Sequence, residues 1–323
     1  MSRQDVTPLR FLVGPTASGK SAVALAAAER ASLEILSMDS MLVYRGMDVG
    51  TAKPTREERR RVPHHLIDLV APSEAFSVHD WLAAAGRALN EVRGRGREAL
   101  FAGGTAFYLQ ALTRGLLDAP PADPALRASI EERVRAEGRE RLHAELAEVD
   151  PPSAARIHPN DTKRLVRALE VWHQTGRPIS SLQREWGWWG SEGRAPRPRR
   201  IAGLALPSEE LEARIAQRTR AMLDAGWVDE ARAIRERGGF SPTSIQALGY
   251  AAVLELADGR LDRASCEARV VLETRRFARR QRTWLRRFAD IVWIDAGGGR
   301  AGDALAGEVL AALGLEPAQP RSA

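Results

Sequence analysis

The stretch LRFLVGPTASGKS, residues 9–21, sets an apolar run from Leu9 to Val13 directly before Gly14-Pro15-Thr16-Ala17-Ser18-Gly19-Lys20-Ser21. Its second half fits GxxxxGK[ST], the pattern in which a strand feeds a glycine-containing turn and the turn feeds a helix. Glycines let successive backbone N–H groups converge on phosphate oxygens, a lysine adds a point charge, and a Ser/Thr hydroxyl reaches a magnesium ion. Gly14, Gly19, Lys20 and Ser21 supply those parts, which makes residues 14–21 a phosphate cradle with Ser21 on the metal side. Such a loop holds a di- or triphosphate tail and not a base, so it does not name the owner of the phosphate. A nucleotide such as ATP is the default occupant, and a P-loop kinase or ATPase the default enzyme.

Outward from the loop, short apolar runs alternate with helical periods over the first hundred residues, the βαβ rhythm of a parallel sheet covered by helices. Strands are expected at Leu9 to Val13, Glu34 to Met38, His65 to Val70 and Glu98 to Ala102, with helices at Lys20 to Arg30 and Val78 to Arg93 and Ser77 as N-cap of the latter. Residues 120–174 read as all helical, interrupted at Pro120-Pro121, Pro151-Pro152 and Pro159, and a strand pattern returns only at Ile201 to Leu206. The expected class is α/β: a P-loop NTPase-like parallel sheet flanked by helices, with an inserted all-helical domain. Its core spans residues 1–115 and 201–315, the insertion 116–200, and residues 316–323 read as a disordered tail. SEGRAPRPRR, residues 191–200, has the composition of an exposed loop where the chain re-enters the core.

The 323 residues are 44% hydrophobic and 28% charged, with 48 Lys and Arg against 42 Asp and Glu, a net charge of +6. That balance leans toward a polyanionic partner. A single cysteine, Cys266, excludes an internal disulfide framework and a cysteine-based zinc site. No apolar run approaches the roughly 20 residues of a membrane span, and the first ten residues lack the apolar segment of a signal peptide. The expectation is a cytoplasmic protein off the membrane, with nothing in the sequence demanding more than a monomer.

Two further constellations carry chemistry. The second and fourth strands end on Asp39-Ser40 and on Gly103-Gly104-Thr105. In a parallel sheet these ends share the edge that bears the phosphate loop, where open α/β folds bind ligands. Asp39 is there a magnesium ligand, a general base or the cap of its own turn, and Gly103-Gly104 a close approach to ligand or simply the turn. Along the C-terminal helix, Arg269 to Arg287, the side chains of Arg275, Arg279, Arg282 and Arg286 recur at 4-3-4 spacing and share one face. Phe277, Trp284 and Phe288 fall on another face, suited to the core. Four cations in register repel one another unless an anion is near, and nucleic-acid phosphates fit arginine well. In the insertion, Arg127, Arg133, Arg135 and Arg139 serve either as a kinase-like lid or as a solvated helix face.

GPTASGKS at 14–21, DSMLVYRGMDVGTAKP at 39–54, PHHLID at 63–68, AGGTAFYLQAL at 102–112, NDTKRLVRALEV at 160–171, ALGY at 247–250 and RRQRTWLRR at 279–287 occur in order. Together these motifs resemble the bacterial tRNA isopentenyltransferase (tRNA dimethylallyltransferase) family over about residues 9–295. The resemblance implies transfer of a dimethylallyl group from dimethylallyl diphosphate to N6 of adenosine 37, beside the anticodon, in tRNAs reading codons that begin with U. It implies Mg²⁺ as cofactor and a tRNA anticodon stem-loop as partner. Asp39 becomes the general base. Thr105 orients the adenine amine, Thr16 and Ser21 take the magnesium–pyrophosphate side, and Arg218 resembles the family's diphosphate arginine. The family's tRNA-contacting segments map to Asp39-Ser40-Met41-Leu42, Thr105, Arg127, Lys163-Arg164-Leu165-Val166-Arg167, Gln246-Ala247-Leu248-Gly249-Tyr250-Ala251 and Arg279-Arg280-Gln281-Arg282-Thr283-Trp284-Leu285-Arg286. Adenine 37 is stacked in its loop, so the resemblance also implies base flipping into a channel that keeps water from an allylic cation.

Two departures stand out. Ala251 occupies a position after Tyr250 where the family pattern leads one to expect a charge, and the cluster Trp186-Gly187-Trp188-Trp189 matches no family motif, leaving hydrophobic pinning or base stacking. A non-catalytic RNA-binding module would explain the basic stripe but not Asp39 and Thr105 beside the loop. The DDxxD motif of the common prenyl synthases does not occur.

Overall fold

The computed structural model describes residues 8–116, 119–185, 198–300 and 302–317; the Trp186–Trp189 cluster, residues 191–197 of the re-entry loop and residues 318–323 of the tail lie outside the described residues. The chain divides into two compact units, Met1–Thr113 with Arg197–Ala323, and Arg114–Pro196.

In the first unit six strands pair in parallel: β1 (Leu9–Val13), β2 (Leu33–Ser37), β3 (His64–His65), β4 (Glu98–Gly103), β5 (Arg199–Ala205) and β6 (Ile291–Asp295), in the spatial order β3-β2-β4-β1-β5-β6. The strand that carries the phosphate loop therefore lies inside the sheet, with Val13 in register with Gly103 of β4 and Gly203 of β5. All five β1 residues are buried. Leu9, Phe11 and Val13 join the apolar cluster on one face and Leu12 the cluster on the other, the two-residue period of a strand covered on both sides. Arg10 fits because its Nη1 donates to Glu98 Oε2 at 2.5 Å and its Nε to the Leu313 carbonyl at 3.3 Å.

Helix Lys20–Ala31 packs beside Gly302–Leu313, while Trp81 of helix Val78–Gly94 stacks on Tyr108 at 4.1 Å. Ser77 caps Val78–Gly94 in a reciprocal box with Asp80, as its sequence position predicts.

Two strand expectations need correction, and one strand was not expected. The strand expected at His65 to Val70 stops after His65, because Leu66 (φ 63°) and Asp68 (φ 56°) adopt left-handed backbone and Asp68 turns its carboxylate to Lys53 (2.6 Å) and Arg59 (2.8 Å). β5 starts two residues earlier than expected. β6 has no counterpart among the expected strands: it is an edge strand in which only Ile291 and Ile294 are buried, following an arginine-rich helix, so it lacks the continuous burial of the inner strands.

The second unit is helical among its described residues: Pro124–Glu137, Arg139–Val149, Pro151–Ala154, Thr162–Thr175 and Ile179–Glu185 around a small core that includes Ile130, Leu142, Leu146, Leu165 and Leu169. Its breaks are built from aspartates. Asp123, Asp150 and Asp161 each accept a backbone N–H at a helix start, and Pro124 and Pro151 occupy first-turn positions where a missing N–H costs nothing. Buried Asp150 also accepts from Ser180 N at 3.0 Å, joining two of these helices.

Candidate functional site

The carboxyl ends of β1, β2 and β4 meet on one edge. Met38 N donates to Ala102 O at 2.8 Å and Thr105 N to Met38 O at 3.3 Å, which seats Asp39 and Thr105 side by side beyond their strands. A Cβ on Gly103 would sit 2.1 Å from the Met38 carbonyl oxygen, so this glycine permits the approach of protein backbone.

Gly19 ends the phosphate loop with φ 88° and stands at the N-cap of helix Lys20–Ala31 without offering a side-chain cap. The first N–H groups of that helix are thereby left for an anion. Lys20 Nζ donates to the Pro15 carbonyl at 2.5 Å and reaches Ser18 Oγ at 3.4 Å, so the ammonium curls onto its own loop. Burial pulls the Lys20 pKa down to about 7, with the Asp39 charge opposing and the Arg218 charge adding to the shift. Across the loop, Gln281 accepts from Thr16 N at 2.8 Å and donates to Gly104 O at 2.9 Å. One amide thus ties the loop to the end of β4, and a Cβ on Gly104 would meet it at 2.2 Å.

Asp39 divides its carboxylate. Oδ1 accepts Met41 N at 2.8 Å, which is the turn-capping role, while Oδ2 has no hydrogen-bond partner among the described residues. Burial, followed by the charge of Asp39, raises the pKa of the neighbouring Tyr108 hydroxyl, so that phenol stays protonated. Arg218, on helix Ser208–Asp224, is desolvated; burial lowers its pKa against the pull of Asp39, and its Nη2 donates to the Thr51 carbonyl at 3.4 Å. Arg214, one turn earlier, spends its guanidinium on Glu210 at 2.6 Å.

Thr16, Asp39, Thr105 and Arg218 line one cavity of about 250 Å³ whose remaining wall includes Met222, Trp227, Leu248, Val270 and Phe277. Polar and ionic groups share a chamber with an apolar one. Phe277 is corrected from a core residue to a cavity residue, with the Arg280 guanidinium 5.8 Å from its ring centre; Phe288 is buried as expected, and Trp284 lies under Arg287 at 5.0 Å. Sequence reasoning missed Trp227. No local signal marks it, because the room for its indole is made by the distant Gly50 and by Gly249, where an added Cβ would fall 2.1 and 2.2 Å from it.

A second, open groove of about 520 Å³ lies between helices Ser208–Asp224 and Arg263–Leu285, lined by Arg275, Arg279, Arg282 and Arg286 together with Ser208 and Glu212. Arg275 bonds Glu212, and Arg282 donates to Ser208 Oγ at 2.8 Å, so the stripe holds two anchored and two outward-facing arginines.

Several residues placed on the tRNA-contacting segments by resemblance turn inward. Leu165 and Val166 are core residues of the helical unit, and Leu285, Ala247 and Tyr250 are core residues of the sheet unit. Gly249 is buried against Trp227, and Gln281 has both ends of its amide committed. Their apolar surface or satisfied hydrogen bonds explain their positions; Arg164, Arg279 and Arg286 of the same segments are exposed. Arg127 and Arg167 both clasp the buried Glu170, at 2.6 and 2.8 Å, and Arg133 bridges Glu137 and Glu145, so these form an internal ionic frame. Ser21 is exposed on the first helical turn.

Among the described residues no group of three or more His, Cys, Asp or Glu side chains could hold a metal ion. The hydroxyls of Thr16 and Ser21 are hard oxygen donors of the kind magnesium accepts beside water and phosphate oxygens. Among those residues no helix is long and apolar enough to cross a membrane.

A family profile described as "IPP transferase" matches residues 42–288, and one described as "Isopentenyl transferase" matches residues 7–68. A tRNA dimethylallyltransferase from Methylococcus capsulatus is 46% identical over 97% of this chain and 100% of its own length, and one from Burkholderia ambifaria is 47% identical over 90% of each. The tRNA isopentenylpyrophosphate transferase structure from Bacillus halodurans aligns with a TM-score of 0.66 at 35% identity, covering 95% of this chain and 97% of that one. A eukaryotic dimethylallyltransferase acting on tRNA shares the fold, with a TM-score of 0.77 at 24% identity over 98% of this chain and 82% of its own. A profile over well over half the chain, and relatives this similar along nearly all of it, place the protein in the IPP transferase family.

Proposed function

We propose that this protein is a tRNA dimethylallyltransferase, moving the dimethylallyl group of dimethylallyl diphosphate to N6 of adenosine 37 in tRNAs that read codons beginning with U. The observation that carries the reading is the cavity, in which Arg218 lies with Thr16, Asp39 and Thr105 and faces an apolar wall, while Lys20 of the adjoining loop is near enough to feel the charges of Asp39 and Arg218. The allylic C–O bond breaks with its electron pair leaving on the diphosphate, and the N6 lone pair forms the new C–N bond. The proton on N6 passes to Asp39, whose Oδ2 is unengaged while Oδ1 fixes its turn. Thr105, whose hydroxyl has no protein partner among the described residues, orients the amine. Lys20, Arg218 and the loop N–H groups receive the developing negative charge. The apolar wall of Met222, Val270 and Phe277 keeps water from the allylic fragment. Magnesium, when bound through the Thr16 and Ser21 oxygens, would supply charge neutralisation on the diphosphate.

The exposed arginines of the groove and the exposed Arg164 of the helical unit serve the phosphates of the anticodon stem-loop. On this reading the enzyme works in the cytoplasm as a monomer, the latter tested by sedimentation equilibrium. The activity is tested by mixing protein, magnesium, labelled dimethylallyl diphosphate and unmodified tRNA carrying adenosine at positions 36 and 37. Label in the RNA is expected, and ATP hydrolysis without label in RNA would replace this reading with a P-loop kinase or ATPase.

A further inference from the structure

Glu230, which belongs to none of the family motifs, lies on helix Trp227–Glu236, three residues after Trp227 and therefore on the same face. Its Oε2 accepts Asp48 N at 2.7 Å and Val49 N at 2.6 Å, and its Oε1 accepts Gly50 N at 3.0 Å and the Tyr250 hydroxyl at 2.6 Å. Three consecutive backbone N–H groups thus converge on one carboxylate, the arrangement that elsewhere forms an anion-binding nest. Here the protein supplies the anion itself, and what it immobilises is a piece of the cavity wall.

Gly50 and Thr51 line the cavity, and the Thr51 carbonyl is the hydrogen-bond acceptor of Arg218. Among the described residues Arg218 has no carboxylate at salt-bridge distance, so its direction depends on that carbonyl and on the field of Asp39. The wall cannot drift inward, since a Cβ at Gly50 would already lie 2.1 Å from Trp227 Nε1 and 2.7 Å from Tyr250 Cε2. Outward drift is what Glu230 prevents. The rest of the segment is anchored separately by Lys53, which binds Asp48 at 2.7 Å, Asp68 at 2.6 Å and the Tyr44 carbonyl at 2.7 Å.

We propose that Glu230 is a positioning residue for prenyl transfer: by closing the nest of Asp48, Val49 and Gly50 it fixes the Thr51 carbonyl, and through it Arg218, against the diphosphate of the donor. The proposal rests on the reading of this cavity as the donor's diphosphate site.

The test uses Glu230→Gln in the full chain. The amide keeps the shape but offers one acceptor oxygen and an NH₂ group, so it cannot serve all three N–H donors. Calorimetric affinity for magnesium pyrophosphate should fall about tenfold, and KM for dimethylallyl diphosphate should rise in parallel, with KM for tRNA within about twofold of the wild type. In an Arg218→Ala background the same substitution should change pyrophosphate affinity less than about twofold, because coupled residues do not add. Unchanged pyrophosphate affinity, or an equal fold-change in both backgrounds, overturns the proposal. Should Glu230→Gln not fold, Tyr250→Phe removes one of the four bonds and keeps the ring. A roughly threefold loss of pyrophosphate affinity then supports the proposal, and no loss overturns it. Because pyrophosphate binding is read without turnover, a wild type that binds it but transfers no prenyl group would count against the proposed function alone.

Discussion

The core of the helical unit and the loop-and-cavity edge of the sheet unit handle buried charge in opposite ways. In the helical unit Glu170 is fully buried, yet it receives Arg127, Arg167 and the backbone N–H of Asp123, all within 2.9 Å. At the cavity edge of the sheet unit, among the described residues, Lys20 hydrogen-bonds only a carbonyl and a hydroxyl, Arg218 only a carbonyl, and Asp39, whose charge reaches both without a salt bridge, one backbone N–H on one of its two oxygens. An ion that has its counter-ion is part of the frame. An ion desolvated without one raises the free energy of the empty site, and a ligand of the right charge relieves it. The contrast separates the arginines of the insertion, which sequence alone left between lid and solvated face, from the cavity proposed to carry the chemistry.

The strongest way to break the contrast is at Asp39. Asp39→Ala should lower the single-turnover rate by at least about 100-fold, the usual scale for a general base, while tRNA affinity by filter binding stays within a few-fold of the wild type. Unchanged transfer would remove Asp39 from the chemistry and leave it as the cap of its own turn. Glu170→Gln should do the reverse. Rate per folded molecule stays near wild type, whereas stability in urea falls by about 2 kcal/mol, less than the roughly 3–5 typical of breaking a fully buried pair because Arg127 and Arg167 keep part of their solvent. Burial alone would raise the Glu170 pKa, but its bonds from Arg167 and Arg127 outweigh that and hold it below the ordinary 4.5. The stabilisation is therefore present above pH 4.5 and lost as the pH falls through the folded-state value, a loss that Glu170→Gln should not show.

How far the sequence could see follows the same division. The loop, the inner strands β1, β2 and β4, and the convergence of Asp39 and Thr105 were legible because each rests on local pattern and on the rule that parallel strands end on one edge. Motif resemblance added Arg218, which the cavity includes. What stayed hidden depends on contacts between distant segments. Gln281 lies in a basic run whose surroundings suggest nucleic acid, but its amide is turned to Thr16, 265 positions away. Trp227 reads as an ordinary core aromatic until Gly50 and Gly249 make room for it. Leu165, Val166 and Leu285 show that a contacting segment on a helix always includes positions that face inward, since a helix repeats every 3.6 residues.

The smallest expected effect sits at the centre of the contrast, on Lys20. Its pKa in the folded chain is about 7, against 10.5 for an ordinary lysine. Between those values the unfolded chain binds more protons than the folded one, so the stability of the ligand-free protein rises with pH from about 7 to 10.5, and below 7 the cost of the buried ammonium is present in full. A diphosphate reverses this locally, because its negative charge favours the protonated amine. Binding above pH 7 should therefore take up as much as one proton, and affinity should fall by up to tenfold per pH unit, with no dependence from this source below pH 7. Dimethylallyl diphosphate also titrates, so the measurement compares wild type with Lys20→Met. Calorimetry at pH 8 in two buffers of different ionisation enthalpy should show the extra proton only in the wild type. Equal uptake by both would mean that Lys20 is already charged in the empty loop, and the distinction between satisfied and unsatisfied ions would then have to rest on Arg218 and Asp39 alone.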